Sequence, residues 1–139
     1  MSTDAAIEQE IQAKGLNAGP RVESADIEGV IAHEHFFTAA DGVCGQRIRK
    51  NLLNMEPTAP TSLPHPFHHP LNHVTICVLI LKNGTKLVGV NEGPVSPKNF
   101  DADMGRKLAR QKAVDQVWPL LGYELRNKVA NCYTNFEGA

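Results

Sequence analysis

The clearest hydrophobic pattern in the chain is an apolar, β-branched run at residues 73–81, which is followed by Lys82-Asn83-Gly84 and a second run at 85–91. Asn-Gly is the preferred pair for a type I′ turn, so the pattern predicts a β-hairpin over residues 73–91. Its first strand is apolar on both faces, which is typical of a central strand or of a subunit interface. Two strands alone would leave part of these apolar faces exposed. The residues that cover them are predicted to come from strands near 36–38 and 47–53, or from a second subunit.

Two helices are predicted before this hairpin. Residues 4–14 place two isoleucines four apart on one face, and Gly15 is well placed to end the helix. A second helix is predicted to begin at a Ser24 cap, because an apolar stripe at Ile27 and Val30 follows it. This helix is expected to run toward residues 33–37.

Turn and loop signals separate these helices from the hairpin. Asp41-Gly42 predicts a turn. Five of the nine prolines fall within 57–70, and proline lacks the backbone donor that helices and sheets need. Residues 54–72 are therefore predicted to form an extended, Pro/His-rich loop.

A helical pair is predicted after the hairpin. Ser96-Pro97 is a strong start signal for a helix over Pro97–Trp118, which Pro119 would end or kink. A short helix over 120–130 and a frayed tail are expected to follow. The chain as a whole is predicted to be one α+β domain, 1–139. Its parts are an N-terminal helix and loop (1–20), N-terminal helices, the loop at 54–72, a small antiparallel sheet built on the hairpin (73–91) and two C-terminal helices (96–131).

Composition narrows the function only by exclusion. The 139 residues carry 14 Lys+Arg against 15 Asp+Glu, so no global charge favours long nucleic acid or an anionic membrane. The longest apolar run is too short to span a bilayer, and the first residues lack the features of a secretory signal. The three cysteines form no C-x-x-C motif, which favours reduced thiols in a cytosol.

The helix predicted over Pro97–Trp118 is apolar toward its C-terminal end and charged, on the same face, toward its N-terminal end. The cations of this face are Arg106, Lys107 and Arg110. Cations four residues apart repel unless they share an anion, and the first helical turn adds free N–H groups and positive potential. The pattern predicts a corner for a phosphate-bearing ligand. The alternative interpretation is a solvated face in which Asp103 pairs with Lys107 or Arg106.

Histidines and nucleophiles give weaker signals. Six histidines lie in the middle of the chain without a recognised ligand spacing, so neither a metal site nor a cofactor is predicted. The weak metal candidates are His33, His35, His65, His68, His69 and His73. Cys44 and Ser96 lack the flanking patterns of catalytic nucleophiles, and Ser96 is predicted to be a helix cap. The chain is therefore not predicted to be an enzyme.

Three segments carry a family resemblance: CVLILKNG at 77–84, VSPKNFDADMGRKLARQKAV at 95–114 and VWPLLGYELR at 117–126. Residues 21–43 add a further stretch. With these segments the chain resembles a family of small phage and prophage proteins that is named after gene product forty-nine of one podovirus and gene sixty-six of another. Its arrangement of sheet and C-terminal helices is also similar to the Thoeris anti-defence sponge proteins of the first type.

The sponge resemblance implies a non-catalytic phage protein that sequesters a cyclic ADP-ribose isomer or a cyclic oligonucleotide in the cytoplasm of the bacterial host. It also implies a homo-oligomer, either a dimer or a trimer of dimers. The ligand-binding residues would be Arg106, Arg110, Lys107, Asn99, Phe100, Asn91, Ser96 and Gly89. Two alternatives stay open: a host-takeover adaptor that binds a bacterial protein through its sheet or Pro/His-rich arm, and a histidine-metal phosphoester hydrolase.

Overall fold

Five helices and three strands make up the computed structural model, which describes residues 3–54 and 70–137. The helices are α1 (Thr3–Ala13), α2 (Ser24–Val30), α3 (Ala39–Asn54), α4 (Ala102–Asp115) and α5 (Val117–Glu137). The strands are β1 (Ile31–Thr38), β2 (Thr75–Leu81) and β3 (Lys86–Asn91), and short 3-10 turns cover Pro70–His73 and Pro97–Asn99. The strands form one antiparallel sheet in the order β1-β2-β3, so the predicted α+β class is confirmed.

The predicted hairpin forms as expected. Gly84 adopts a left-handed φ of 89°, and Thr85 N donates to the side-chain oxygen of Asn83 at 3.0 Å. Along β2, residues 75, 77, 79 and 81 are buried while the intervening residues are half-buried. The buried side therefore faces the helices, and the other side faces outward.

Helix α4 lies on the buried side of the hairpin at unusually short range. A stripe of small residues, Gly105, Ala109 and Ala113, is buried along this helix. A methyl group added at Gly89 of β3 would lie 2.0 Å from the carbonyl oxygen of Ala109, closer than real contacts allow. Glycine is thus required where the strand meets the helix backbone. Around this contact lies the core, which consists of Ile27, Cys77, Leu79, Leu81, Ala109, Ala113, Val114 and Val117.

The second helix is shorter than predicted. It ends at Val30, and the chain continues as β1, so the prediction of helix through 33–37 is wrong while the strand expected near 36–38 is confirmed. Pairing with β2 supplies a full ladder of backbone hydrogen bonds that outweighs the local helical pattern. The N-cap is Glu23 rather than Ser24, and the backbone N–H of Glu23 donates to Asp26 at 2.8 Å.

Helix α3 replaces both the turn predicted at Asp41-Gly42 and the strand predicted near 47–53, and those two predictions are wrong. The start of the helix explains the first error. Asp41 accepts a hydrogen bond from Thr38 N at 2.9 Å, and Asp41 N donates back to the Thr38 hydroxyl at 3.1 Å. This reciprocal pair is a capping box, which begins a helix instead of a turn.

The C-terminal helical pair is confirmed, but its bounds differ from the prediction. Ser96-Pro97 starts only a 3-10 turn, and α4 begins later because Asp101 caps it by accepting from Met104 N at 3.1 Å. The helix ends at Asp115, and Pro119 lies in the first turn of α5, where its missing N–H costs nothing. Residues 131–137 continue α5, so the predicted tail there is wrong. Most of the predicted Pro/His-rich loop, residues 55–69, lies outside the described residues.

Candidate functional site

A concave pocket lies where the N-terminal end of α4 meets the end of β1 and the 3-10 turn before β2. Its volume is about 370 Å³, which falls in the usual range of small-molecule sites. The lining residues are Phe36, Phe37, Thr38, Asp41, Asn72, His73, Thr75, Phe100, Ala102 and Arg106. Of the residues predicted to bind a ligand, the pocket brings together Phe100 and Arg106.

One wall of the pocket is aromatic. The rings of His73 and Phe100 are stacked, with centroids 4.5 Å apart and planes inclined by 28°. Two short turns hold them: His73 ends the turn before β2, and Phe100 follows the turn over Pro97–Asn99. Phe36 and Phe37 of β1 also line the pocket, and of the two it is Phe36 that lies on the side of the sheet facing α4. Such a wall offers a flat, apolar surface on which a planar ring can stack.

The polar side of the pocket is dominated by one cation. Arg106 keeps 45% of its side-chain surface exposed and forms an ion pair with Asp103, one turn earlier on the same helix. An exposed pair of this kind contributes little free energy and is readily exchanged for a better anion. Thr75 closes the floor of the pocket, because it is buried to 4% exposure against Gly105.

Arg110 has a different environment from Arg106. Its Nε donates to Glu34 at 2.9 Å and a terminal nitrogen donates to Glu28 at 2.7 Å, so α4 is tied to β1 and α2. The hydrogen bond to Glu28 raises the pKa of this guanidinium above its ordinary value, with help from Glu34 and against partial burial. The two carboxylates already occupy the anion-binding fork of Arg110.

The other predicted ligand residues lie apart from the pocket lining. Lys107 and Asn99 are exposed, and Ser96 is half-buried in the segment before the turn. Asn91 pairs with Thr75 across the hairpin. Gly89 is covered by α4, so the backbone of the helix fills the gap that the missing side chain leaves.

Several pocket residues were missed in the sequence. Phe36 and Phe37 were not selected because their segment was interpreted both as the end of a helix and as a strand, and Asn72 was not selected because it lies in the predicted loop. Thr38 and Asp41 did carry a signal: the spacing Thr-x-x-Asp before a helix is that of a capping box.

The histidines do not assemble a metal site among residues 3–54 and 70–137. His33 and His35 stack on β1 with centroids 6.5 Å apart, but no group of three or more metal-ligating side chains occurs in these ranges. His65, His68 and His69 lie outside the described residues. Cys77 is a fully buried core residue, and this burial, with a smaller contribution from Glu34, raises the pKa of its thiol.

Residues 22–129 match a family described as Phage protein (N4 Gp49/phage Sf6 gene 66). The chain belongs to this family. The predicted resemblance to it is thereby confirmed, and the matched range contains every residue that lines the pocket, whereas α1 precedes it. Comparison of this family member with curated proteins and with solved structures gave no match. No helix in the described part of the chain is both long and apolar enough to cross a membrane.

Proposed function

We propose that this phage-family protein is a non-catalytic binding protein for a small, anionic, nucleotide-type ligand. A single observation carries the proposal: a stacked aromatic pair and a guanidinium line the same pocket of about 370 Å³. A nucleotide joins a flat base to phosphate, so it needs a stacking surface and a cation at short range. A pocket of this volume accepts a small molecule rather than a nucleic acid helix.

The residues divide the work of binding between two ends of the pocket. The base stacks on the outer side of the His73–Phe100 pair, because the space between the two rings is already closed at 4.5 Å. The phosphate is held by Arg106, whose planar fork suits it, and displaces Asp103 from that fork. The N-terminal end of α4 adds favourable potential for the negative charge.

The biological role we propose is capture without cleavage. The ligand would be a cyclic ADP-ribose isomer or a cyclic oligonucleotide that serves as an immune signal, and its removal in the cytoplasm of the bacterial host would blunt defence against phage. A binding protein of this kind does not regenerate its site by turnover. It must therefore release the ligand slowly.

The experiment is a thermal-shift screen of the purified protein against cyclic ADP-ribose isomers and cyclic di- and trinucleotides. Ligand at a hundred times its Kd should stabilise the fold by about 2.7 kcal/mol. Heating the complex and analysing the released ligand by mass spectrometry should recover it intact. A cleaved ligand would establish the hydrolase alternative, and no shift with any member of the panel would overturn the proposal.

Matched variants locate the binding in this pocket. Arg106→Gln and Phe100→Leu should each reduce the ligand-induced shift, because they remove the phosphate contact and the stacking surface. Lys107→Gln is the control, since Lys107 is an exposed cation next to Arg106 that does not line the pocket. Equal loss of the shift in the control would point to general charge attraction instead of a built site.

A second candidate function, the protein-binding adaptor, is favoured by the outward face of the sheet. Helix α4 covers only one face, and the other exposes Phe37, Val88 and Val90 at 38%, 48% and 39%. An apolar sheet face of this kind is typical of interaction surfaces. The adaptor predicts a discrete bacterial protein in a pull-down, and that protein should be lost when Val88 and Val90 are replaced by threonine.

A further inference from the structure

The two edge strands of the sheet differ in how their outward backbone groups are bonded. At the β3 edge, side chains of α4 reach around the strand and bind its outward carbonyls. Lys112 Nζ donates to Val90 O at 2.9 Å, and Gln116 Nε2 donates to Val88 O at 2.7 Å. An edge strand with free backbone groups is a template for pairing with another strand, and these two contacts block that pairing.

The β1 edge has no such cover within residues 3–54 and 70–137. Ala39 N donates to Val74 O at 2.9 Å, which extends the β1–β2 ladder by one residue pair. In an antiparallel pair every second residue directs its backbone groups toward the partner strand, so this bond identifies which residues of β1 face β2. Glu34 and Phe36 consequently turn their backbone N–H and C=O groups away from β2. The next outward group, Thr38 N, is bound by Asp41 at 2.9 Å, so the open stretch is limited to a few residues.

The surroundings of β1 leave room for another strand. Helix α4 lies over β2 and β3, and residues 32–35 of β1 are all exposed. Glu34 would be an unfavourable side chain at a seam if it were alone, but Arg110 binds its carboxylate at 2.9 Å. Because Arg110 also binds Glu28, the charge nearest the open edge is compensated in part.

We propose that β1 pairs in antiparallel orientation with β1 of a second copy of this chain, forming a continuous six-stranded sheet. The open edge is self-complementary. When Glu34 lies opposite Phe36 of the second copy, both outward residues form paired backbone hydrogen bonds, and His35 lies opposite itself on the two-fold axis. Of the two other symmetric registers, one places the two Glu34 residues face to face, which like charge disfavours, and the other requires Thr38 N, which Asp41 already binds.

This interface is small, so it predicts a dimer that depends on protein concentration. Pairing involves two outward residues per copy and the side chains around them, well below the roughly 1,200 Å² of a standard stable interface. The proposal concerns the protein without ligand and does not require the nucleotide function. Failure of one proposal therefore leaves the other standing.

The test is a charge swap at His35, measured by sedimentation of the full chain from roughly 1 µM to 1 mM, a range that covers weak interfaces. His35→Glu and His35→Lys each place like charges on the two-fold axis and should weaken the dimer about tenfold or more. An equimolar mixture of the two variants should dimerise at least as well as the wild type. The His35 side chain is exposed, so both variants should keep the melting temperature of the wild type.

The control is Lys86→Glu, a charge reversal on an exposed residue of β3 at the closed edge, and it should leave the dimer unchanged. A wild type that stays monomeric over the whole range would overturn the proposal. Variants that dimerise like the wild type would show that β1 is not the interface. Failure of the mixture to recover would overturn the register in which His35 meets itself.

Discussion

Arg106 and Arg110 lie one turn apart on the same face of α4, yet their environments are opposite. Arg106 lies at the pocket, 45% exposed, and among the described residues its ion-pair partner is a neighbour on its own helix. Arg110 is 29% exposed and binds carboxylates of two other elements, Glu28 on α2 and Glu34 on β1. The spacing places both cations on one face, but the elements packed beside each turn decide what each cation does.

The same contrast holds for the two halves of α4 as a whole. Beyond Gly105 the helix is pressed against the hairpin, with Ala109 and Ala113 buried and Gly89 in contact with its backbone. At its start, after the cap residue Asp101, the helix instead lines the pocket with Ala102 and Arg106. One half therefore carries stability, and the other lines the pocket that we propose as the ligand site.

The largest effect on stability is expected where α4 packs against the hairpin, beyond Gly105. Gly89→Ala puts a methyl group 2.0 Å from Ala109 O, and neither backbone can move without disturbing the sheet. We expect the free energy of unfolding to fall by about 3 kcal/mol or more, measured by chemical denaturation. Gly122→Ala is the matched control, because its methyl group meets open space on α5. A Gly89→Ala protein as stable as the control would refute the close helix–strand contact.

The next largest effect is expected at the pocket end of α4, where Arg106 lies. Arg106→Gln should lower ligand affinity by about tenfold to a hundredfold, the value of a charge-assisted contact of about 1.5–3 kcal/mol. Its free energy of unfolding should change by less than about 0.5 kcal/mol, because only an exposed ion pair is lost. Isothermal titration and denaturation measure the two quantities. An Arg106→Gln protein that binds the ligand normally but is much less stable would show that Arg106 has a structural role instead of a binding role.

Arg110→Gln should lower stability and leave ligand affinity unchanged, the reverse of Arg106→Gln, and the change should be smaller. The loss of contacts to Glu28 and Glu34 should cost about 1 kcal/mol of stability, since the carboxylates are half-exposed. Ligand affinity should stay within about twofold of the wild type, because the guanidinium is already occupied. A double-mutant cycle with Glu34→Gln isolates the pair, and full additivity would show that the ion pair contributes nothing.

The last prediction concerns the reactivity of the three cysteines, which reports on packing without altering the sequence. Cys132 is exposed, whereas Cys44 and Cys77 are buried, and burial also raises the pKa of Cys77. Because the thiolate is the reactive form, an alkylating reagent under native conditions should modify Cys132 and spare the other two. Mass spectrometry of the digested protein counts the labels. Rapid labelling of Cys77 in the wild type would contradict a closed contact between α4 and the hairpin.

Local signals predicted most of the fold. The hairpin followed from Asn83-Gly84 between two β-branched runs, and both terminal helical regions followed from apolar spacing. Only the end of β1, near 36–38, was predicted as a strand, because its partner lies some forty residues later in the chain and an apolar stripe in the preceding segment continued a helical pattern. Tertiary pairing overrides local propensity in such cases.

The site was predicted only in part, for a related reason. Arg106 and Phe100 could be placed at the start of a charged helix, but the aromatic wall brings Phe100 against His73 and Phe36, which come from other parts of the chain. The close packing of α4 did leave a signal that a reader could use: Gly105, Ala109 and Ala113 recur every four residues. Whether Arg110 faces a ligand or two carboxylates depends on long-range packing, which spacing within one helix does not contain.

The central claim is that the pocket at the start of α4 binds the ligand, and amide chemical-shift mapping tests it most directly. On titration of the isotope-labelled protein with the best ligand of the panel, the largest shifts should fall at residues 36–41, 72–75 and 100–106. The turn at 82–85 and the surroundings of Arg110 should change little. Shifts centred on Arg110, on the outward sheet face or on α5 would contradict the account.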